Sequence, residues 1–472
     1  MMLETFRPES FMFPGLSDDD SATVRRLLRV WDQRLLMNFK RSLYYDTEQT
    51  FKDLGIALPP QLKNAEFYLG WATQAVRKPA MRSQFDGIRL PGTDDPLELN
   101  AAFTRNRFRL EFGQAIVSAY THGMSLVTVF KDERGDVQIQ AHSAEACAAV
   151  WDYGTRRLES ALTISEFDEY GPSVLTVYLP DKVIIARKNG EYLWSVDQWP
   201  NFIGRVLAVP VTNDPQLRKP LGRSRITRSV MALTDTAVRT YVRMEGNAEL
   251  YSAPQIALLG LSEDAFEALS GSEAKKFKLA LDRVLGVTTD ENGDKPALQQ
   301  LSQASMQPHG DMLRTVAMAF SGETGIPPSS LGIVHDQPAS AEAIRAAEHD
   351  LLIDATYHNK FVHAQTVKDV ASLAVMVRDG LTTPPPEVLK LSVRFADPEF
   401  RSLSAQADAV QKLASDMESL AKWPVLLEQV FDADEVARIM SDKRRADGGA
   451  LIDALTTEPA QPLVDGVGNG DA

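Results

Sequence analysis

Asp350, Asp354 and His358 stand at i, i+4 and i+8 of a stretch with helical rhythm, and His363 follows within two turns. At that spacing the first three share one face of a helix. Carboxylate oxygens and imidazole together make a donor set for a divalent metal, so a metal-dependent hydrolase or nuclease is one chemistry the spacing permits. The alternative is a solvated helix face or a subunit contact. Metal sites draw ligands from several elements, and no second carboxylate cluster accompanies this one. Other catalytic signatures are missing. The chain holds no Gly-x-x-x-x-Gly-Lys-Ser/Thr phosphate loop, no His-Glu-x-x-His, no Gly-x-Ser-x-Gly and no kinase signature set.

A second constellation is basic. From Arg205 to Arg243 there are eight bases (Arg205, Arg218, Lys219, Arg223, Arg225, Arg228, Arg239, Arg243) against two acids, Asp214 and Asp235. Such a cluster contacts nucleic-acid phosphates without reading bases, or it pairs with carboxylates of the same chain or a neighbouring subunit. A third feature is the Gly/Pro-rich segment Gly325–Pro338, 14 residues between two helical patterns. That is long for a helix–helix connector, and long loops held by rigid helices often carry function.

The surrounding pattern sets where these residues sit. Ser21 or Thr23 caps a helix with Val24, Leu27, Leu28, Trp31 and Leu35 on one side. Helices are predicted over Glu66–Val76 and through Phe108, Phe112, Ile116 and Ala119. From Ser125 the period becomes two: a hairpin turns at Arg134-Gly135-Asp136. Strands follow over Ala161–Ile164, Val174–Tyr178, Val183–Arg187 and Tyr192–Val196, and this α+β unit ends near Val206–Val211. Ile226, Val230, Leu233, Ala237, Tyr241, Met244 and Ala248 then form one apolar stripe with spacing 4-3-4-4-3-4. It ends at Pro254, and Arg228, Asp235, Arg239 and Arg243 fall opposite it. Gln255–Leu261 reads as a strand, Glu263–Leu269 and Phe277–Val287 as short helices, and Asp290–Asp294 as a turn. Another helix covers Gly310–Gly322. The longest runs from a Ser340 cap to Arg378, with Gly380 as its stop, on the order of 60 Å at 1.5 Å per residue. A strand over Val388–Phe395 and two or three helices within Phe400–Arg445 complete the pattern. The tail from Asp447, with five acids and no bases, reads as disordered.

Composition narrows the function classes. The 472 residues are 44% hydrophobic and 24% charged, which excludes a wholly disordered chain. Net charge is −14, against a protein that wraps nucleic acid by bulk attraction. One cysteine, Cys147, excludes an internal disulfide or a Cys-based zinc cluster. No secretory leader or membrane-spanning run is visible, so a soluble chain made in a reducing compartment is expected, with no membrane partner and no cofactor.

In order and spacing, several short segments resemble the portal, or head–tail connector, proteins of long-tailed double-stranded DNA phages. They are Ser42-Leu43-Tyr44-Tyr45, Leu54-Gly55-Ile56, Leu58-Pro59-Pro60, Gly70-Trp71, Phe85-Asp86-Gly87, Val209-Pro210-Val211-Thr212-Asn213, Leu221-Gly222-Arg223-Ser224-Arg225-Ile226, Ala253-Pro254-Gln255, Leu259-Gly260, Gly325-Ile326-Pro327-Pro328-Ser329-Ser330-Leu331-Gly332 and Pro338-Ala339-Ser340-Ala341-Glu342-Ala343-Ile344. The resemblance covers about Leu27–Arg445.

It implies an α+β subunit with an α/β wing (1–221), a stem helix (222–250), a small α/β clip (251–307) and a second stem helix (308–324). A tunnel loop (325–338), a long wing helix with return strand (339–398), a helical crown (399–446) and the tail (447–472) would follow. The implied function is non-enzymatic: a ring, commonly of twelve copies, at one capsid vertex. Double-stranded DNA passes through it non-specifically during packaging and ejection. The implied partners are the major capsid protein, the terminase large subunit and then a head-completion adaptor. The place is the virion, after synthesis in the host cytoplasm. Ser329, Ser330, His335, Asp336 and Gln337 would face DNA from the tunnel loop. Arg223, Arg228, Arg239 and Arg243 would touch DNA or a neighbouring subunit. Another virion adaptor with a portal-like core is the alternative within the same class.

Overall fold

Ser17 opens the first long helix, α1 (Asp18–Asp46). Its Oγ accepts the Asp20 N–H at 3.1 Å, and three aspartates occupy the positive end. The cap thus lies four residues before the expected Ser21, which is buried within the helix. The computed structural model describes residues 6–50, 66–90, 95–169, 171–251, 256–259, 297–300, 305–333, 341–399, 411–412, 436 and 438–445. The expected Leu58-Pro59-Pro60 break, the elements assigned within 260–296, residues His335, Asp336 and Gln337, most of the crown and the tail lie outside the described residues.

Helix α2 (Trp71–Ala80) begins five residues later than the sequence pattern indicates and carries Pro79 in its last turn, where the ring removes only one late hydrogen bond. Strand β1 (Phe85–Arg89) and the short α3 (Leu99–Arg105) follow, neither of them expected, then α4 (Phe108–His122). The hairpin β2 (Met124–Lys131) and β3 (Val137–His142) forms as read, with a turn over Asp132–Gly135.

β4 (Cys147–Asp152), β5 (Arg157–Asp168), β6 (Gly171–Tyr178), β7 (Lys182–Lys188) and β8 (Trp194–Pro200) make an antiparallel meander in chain order. β4 went unforeseen because Cys147-Ala148-Ala149 is weakly strand-forming; burial between neighbours decides it. That burial also pushes the Cys147 thiol up to about 12, so it is an inert apolar residue. β9 (Ala208–Thr212) returns to pair with β2 in a β3-β2-β9 sheet.

The next helix is α5 (Arg228–Tyr251). A small ladder joins β10 (Ile256–Leu259) to β11 (Ala297–Gln300), and α6 (Gln307–Thr324) runs back along α5. Their antiparallel course is fixed at one end by Asn247 bonded to His309 and at the other by Thr227 donating to Glu323 Oε1 at 3.2 Å. α7 (Ala341–Tyr357), a π-helical turn (His358–His363) and α8 (Ala364–Asp379) make one continuous long helix. It stops at Gly380 with φ +68°, as its glycine implies. β12 (Ser392–Phe395) closes the chain's return by pairing with β1.

Two cores result. α1 lays Val24, Leu27, Leu28 and Trp31 on Leu162, Leu175, Ile184 and Trp194 of the meander. The larger core gathers α2, α4, α8 and the three-stranded sheet. β2 is buried along six consecutive residues because α4 and α8 both pack on its sheet.

Helix α5 departs from its expected stripe. Val230, Met231, Thr234, Ala237, Val238, Thr240, Val242 and Gly246 are buried, while Tyr241 and Ala248 are exposed. The packing line is rotated by roughly one residue toward threonine and valine, because α6 and α2 approach from that side.

Candidate functional site

The segment between β9 and α5 is locked by paired backbone and side-chain bonds. Asn213 N–H donates to Gly123 O (3.0 Å), Arg223 N–H to Asn213 O (2.8 Å) and Arg225 N–H to Tyr120 O (2.8 Å). Asn213 Nδ2 donates to Arg223 O at 2.6 Å, and Ser224 Oγ donates to Thr121 O at 2.5 Å. Gly222 has φ +78°, and a β-carbon there would lie 2.5 Å from the Asn213 carbonyl oxygen and closer still to that of Gly123. Only glycine fits this crossing of two backbones.

The lock aims Arg225 at the long helix. Its guanidinium pairs with Asp354 Oδ2 and lies 5.0 Å from the centroid of the Tyr120 ring, a cation–π contact. Asp354 also receives His358: Nδ1 is 2.9 Å from the Asp354 carbonyl oxygen and 3.3 Å from Oδ1. Burial pushes the Asp354 carboxyl up, but the His358 hydrogen bond and the Arg225 charge outweigh it and hold it below the usual range. His363 Nε2 is 3.0 Å from Tyr120 Oη within a stack of aromatic rings. Burial, reinforced by His358 and Arg225, presses the His363 pKa down to about 3, so it stays neutral.

These groups border a cleft of about 270 Å³, walled by Asn213, Asp214, Arg223, Arg225, Thr227, Glu323, Asp354, Tyr357 and His358. The cleft joins the end of β9, the start of α5, the end of α6 and the end of α7. Arg223 pairs with Asp214 at 3.0 Å on its rim.

The suggested metal set does not assemble. Asp350 is exposed, Asp354 is engaged by Arg225, and His358 and His363 turn progressively inward, at 5% and 0% exposure. Among the described residues no three His, Cys, Asp or Glu side chains converge to hold a metal. The π-turn, invisible in residue spacing, is what carries His363 into the core.

The basic segment does not form one patch either. Arg205 sits apart, its Nη1 3.7 Å from Met376 Sδ, and burial lowers its pKa. Arg223 and Arg225 are paired within the chain. Arg239 Nη2 donates to Thr236 Oγ1 at 2.7 Å, while Arg228 and Arg243 are exposed. Asp235, expected on the solvated face, accepts the Tyr44 hydroxyl at 2.9 Å and ties α1 to α5.

Ser329 and Ser330 lie in a tight 3-10 turn, Pro328–Leu331, pinned by buried Ile326 and Leu331 and ended by Gly332 at φ +84°. Ser329 is exposed and Ser330 half-buried. The start of this segment is therefore a built turn and not irregular loop.

Of the anchors, Arg225 was legible only as one base among eight and Asn213 only within the segment Val209–Asn213, while Tyr120 and Gly123 were left unassigned. Arg223 and Arg225 are matched there by Asp214 and Asp354, and the second pair fastens the start of α5 to the long helix.

Comparison with known proteins agrees with that structural role. The portal protein of Mycobacterium phage L5 is 26% identical over 473 aligned residues, covering 95% of each chain. That of Mycobacterium phage D29 is 27% identical over 440, covering 89% of each. A solved chain from the neck of a native GTA particle, computed with C12 symmetry, aligns over 73% of this chain and 84% of its own with 12% identity and a TM-score of 0.43. Among the described residues no helix is long and apolar enough to cross a membrane. The family profile described as "Phage portal protein, SPP1 Gp6-like" matches residues 28–449, so the chain belongs to the phage portal proteins, structural and non-enzymatic components of the virion.

Proposed function

We propose that copies of this chain, twelve by the family pattern, close into a ring at one capsid vertex and form the conduit for double-stranded DNA in packaging and ejection. The observation that carries the proposal is the clamp at the cleft. It joins α5 and α6, whose end leads into the turn holding Ser329 and Ser330, to α7. A wall that passes a polyanion must not hold it tightly, and a chain of net charge −14 with a few exposed arginines such as Arg228 and Arg243 meets that requirement.

In this arrangement the segment 251–307 docks the terminase large subunit and later a head-completion adaptor. The wing (1–221) meets the major capsid protein, and 399–446 forms the crown. Ser329, Ser330, His335, Asp336 and Gln337 approach DNA, and Arg223, Arg228, Arg239 and Arg243 lie along the stem. Synthesis is in the host cytoplasm. Electron-microscope averages of the purified protein test this: rings with an open centre are expected, and a protein that stays monomeric, or discs without a hole, overturn it.

A further inference from the structure

Two separate helices each expose three large apolar side chains. On α1 they are Leu36, Met37 and Phe39, at 60%, 38% and 58% exposure; on the long helix they are Ile353, Tyr357 and Phe361, at 55%, 54% and 66%. The second set is in line: the Tyr357 and Phe361 rings lie 5.4 Å apart across the start of the π-turn. Exposed aromatic pairs bordered by charge are the usual make-up of a docking face.

The two sets lie on helices that reach α2 from different sides. α2 separates them: Thr73 bonds to the Tyr45 carbonyl at the end of α1, while Ala75 lines the cleft beside Tyr357. Two residues apart on a helix means about 200° around its axis, so α1 and α7 approach α2 from opposite sides. Two different surfaces on one chain are what a closed ring of identical chains requires, because each contact is heterologous. One opposite-charge pair is available: Lys40 is exposed next to Phe39, and Asp350 is exposed one turn before Ile353, while Lys360 is exposed beside Phe361.

We infer that the Leu36–Phe39 face of one copy docks on the Ile353–Phe361 face of the next, with Lys40 meeting Asp350. The inference rests on the ring proposed above and names its subunit contact.

Cysteine cross-linking of the full-length protein tests it, since Cys147 is buried and does not compete. A double variant, Leu36→Cys with Phe361→Cys, treated with a short bismaleimide should give a ladder of covalent multimers on denaturing gels. Each single variant should give monomer only. A dimer from Phe361→Cys alone would mean that like faces meet, and would overturn the assignment. Ring-sized particles by native mass measurement without a ladder also overturn it while leaving the ring intact. Absence of ring-sized particles in the unmodified protein defeats the ring and the contact together. As a second readout, Phe361→Glu should abolish ring-sized particles with an unchanged circular dichroism spectrum, because the side chain is exposed. Undiminished rings would count against the contact.

Discussion

Arg225, three residues before α5, is ion-paired with Asp354 in the last turn of α7, across 129 positions of sequence. The arginine side chain is only 13% exposed, and the face of Tyr120 covers it. The start of α5 and the long helix are therefore coupled through a partly desolvated charge pair, where loss of one partner strands the other.

Asp354→Ala should destabilise this junction by about 2 kcal/mol, because the remaining guanidinium keeps its burial without its partner. Hydrogen exchange should accelerate in 223–230 and 354–358 and not in the meander. The Asp354 pKa is lowered in the folded chain, so its contribution is complete above the unfolded carboxylate value of about 3.9 and fades as pH falls through the folded one. Asp354→Asn should remove that part of the acid dependence.

Gly222→Ala should be far more damaging than Gly332→Ala, although both glycines have positive φ. The first would drive a β-carbon to within 2.5 Å of a backbone oxygen, whereas the second faces open space. About 1 kcal/mol is expected at Gly332, and loss of soluble protein at Gly222. Soluble yield and thermal melting of the two variants decide it.

Burial presses the His363 pKa down to about 3 and those of His122 and His142 to about 4. Between these values and the unfolded value of about 6.5, the unfolded chain takes up protons that the folded chain refuses. Stability should thus be full above that pH and decline below it. His363→Gln leaves Tyr120 an acceptor and removes one titration, so melting temperature should fall less steeply between pH 6.5 and 4. An unchanged slope would place the sensitivity elsewhere.

Tyr44→Phe removes the hydroxyl that joins α1 to Asp235 on α5. A loss of about 1 kcal/mol is expected. Asp235→Asn should cost less, because the amide oxygen still accepts. Thermal melting of the pair of variants checks the order.

Arg228→Glu should leave melting temperature unchanged, since the side chain is exposed. In complementation of a portal-deficient phage it should lower the yield of DNA-filled heads. Filled heads at the normal yield would show Arg228 to be ordinary solvated surface.

Helices and strands with strong periodicity were legible from residues alone: α1, α4, the β2–β3 hairpin and the long helix up to Gly380. Boundaries failed where a neighbour decided them. The cap at Ser17, the start of α2 and the strand at Cys147 depend on packing more than on intrinsic preference. The candidate site was legible only in pieces. Arg225 was one base among eight, and Asp354 was one member of a suggested metal set with Asp350 and His358. Nothing in their separate spacings joins them.

Periodicity, glycine placement and the order of short segments were enough to determine an α+β chain of portal type, because those features depend on residues close in sequence. Which charges pair, which face of α5 is buried, and where His363 points were decided only in three dimensions. They depend on contacts between residues far apart in sequence, 129 positions for Arg225 with Asp354 and 62 and 96 for the bonds between α5 and α6, and for His363 on a π-turn that shifts helical register; local pattern carries neither.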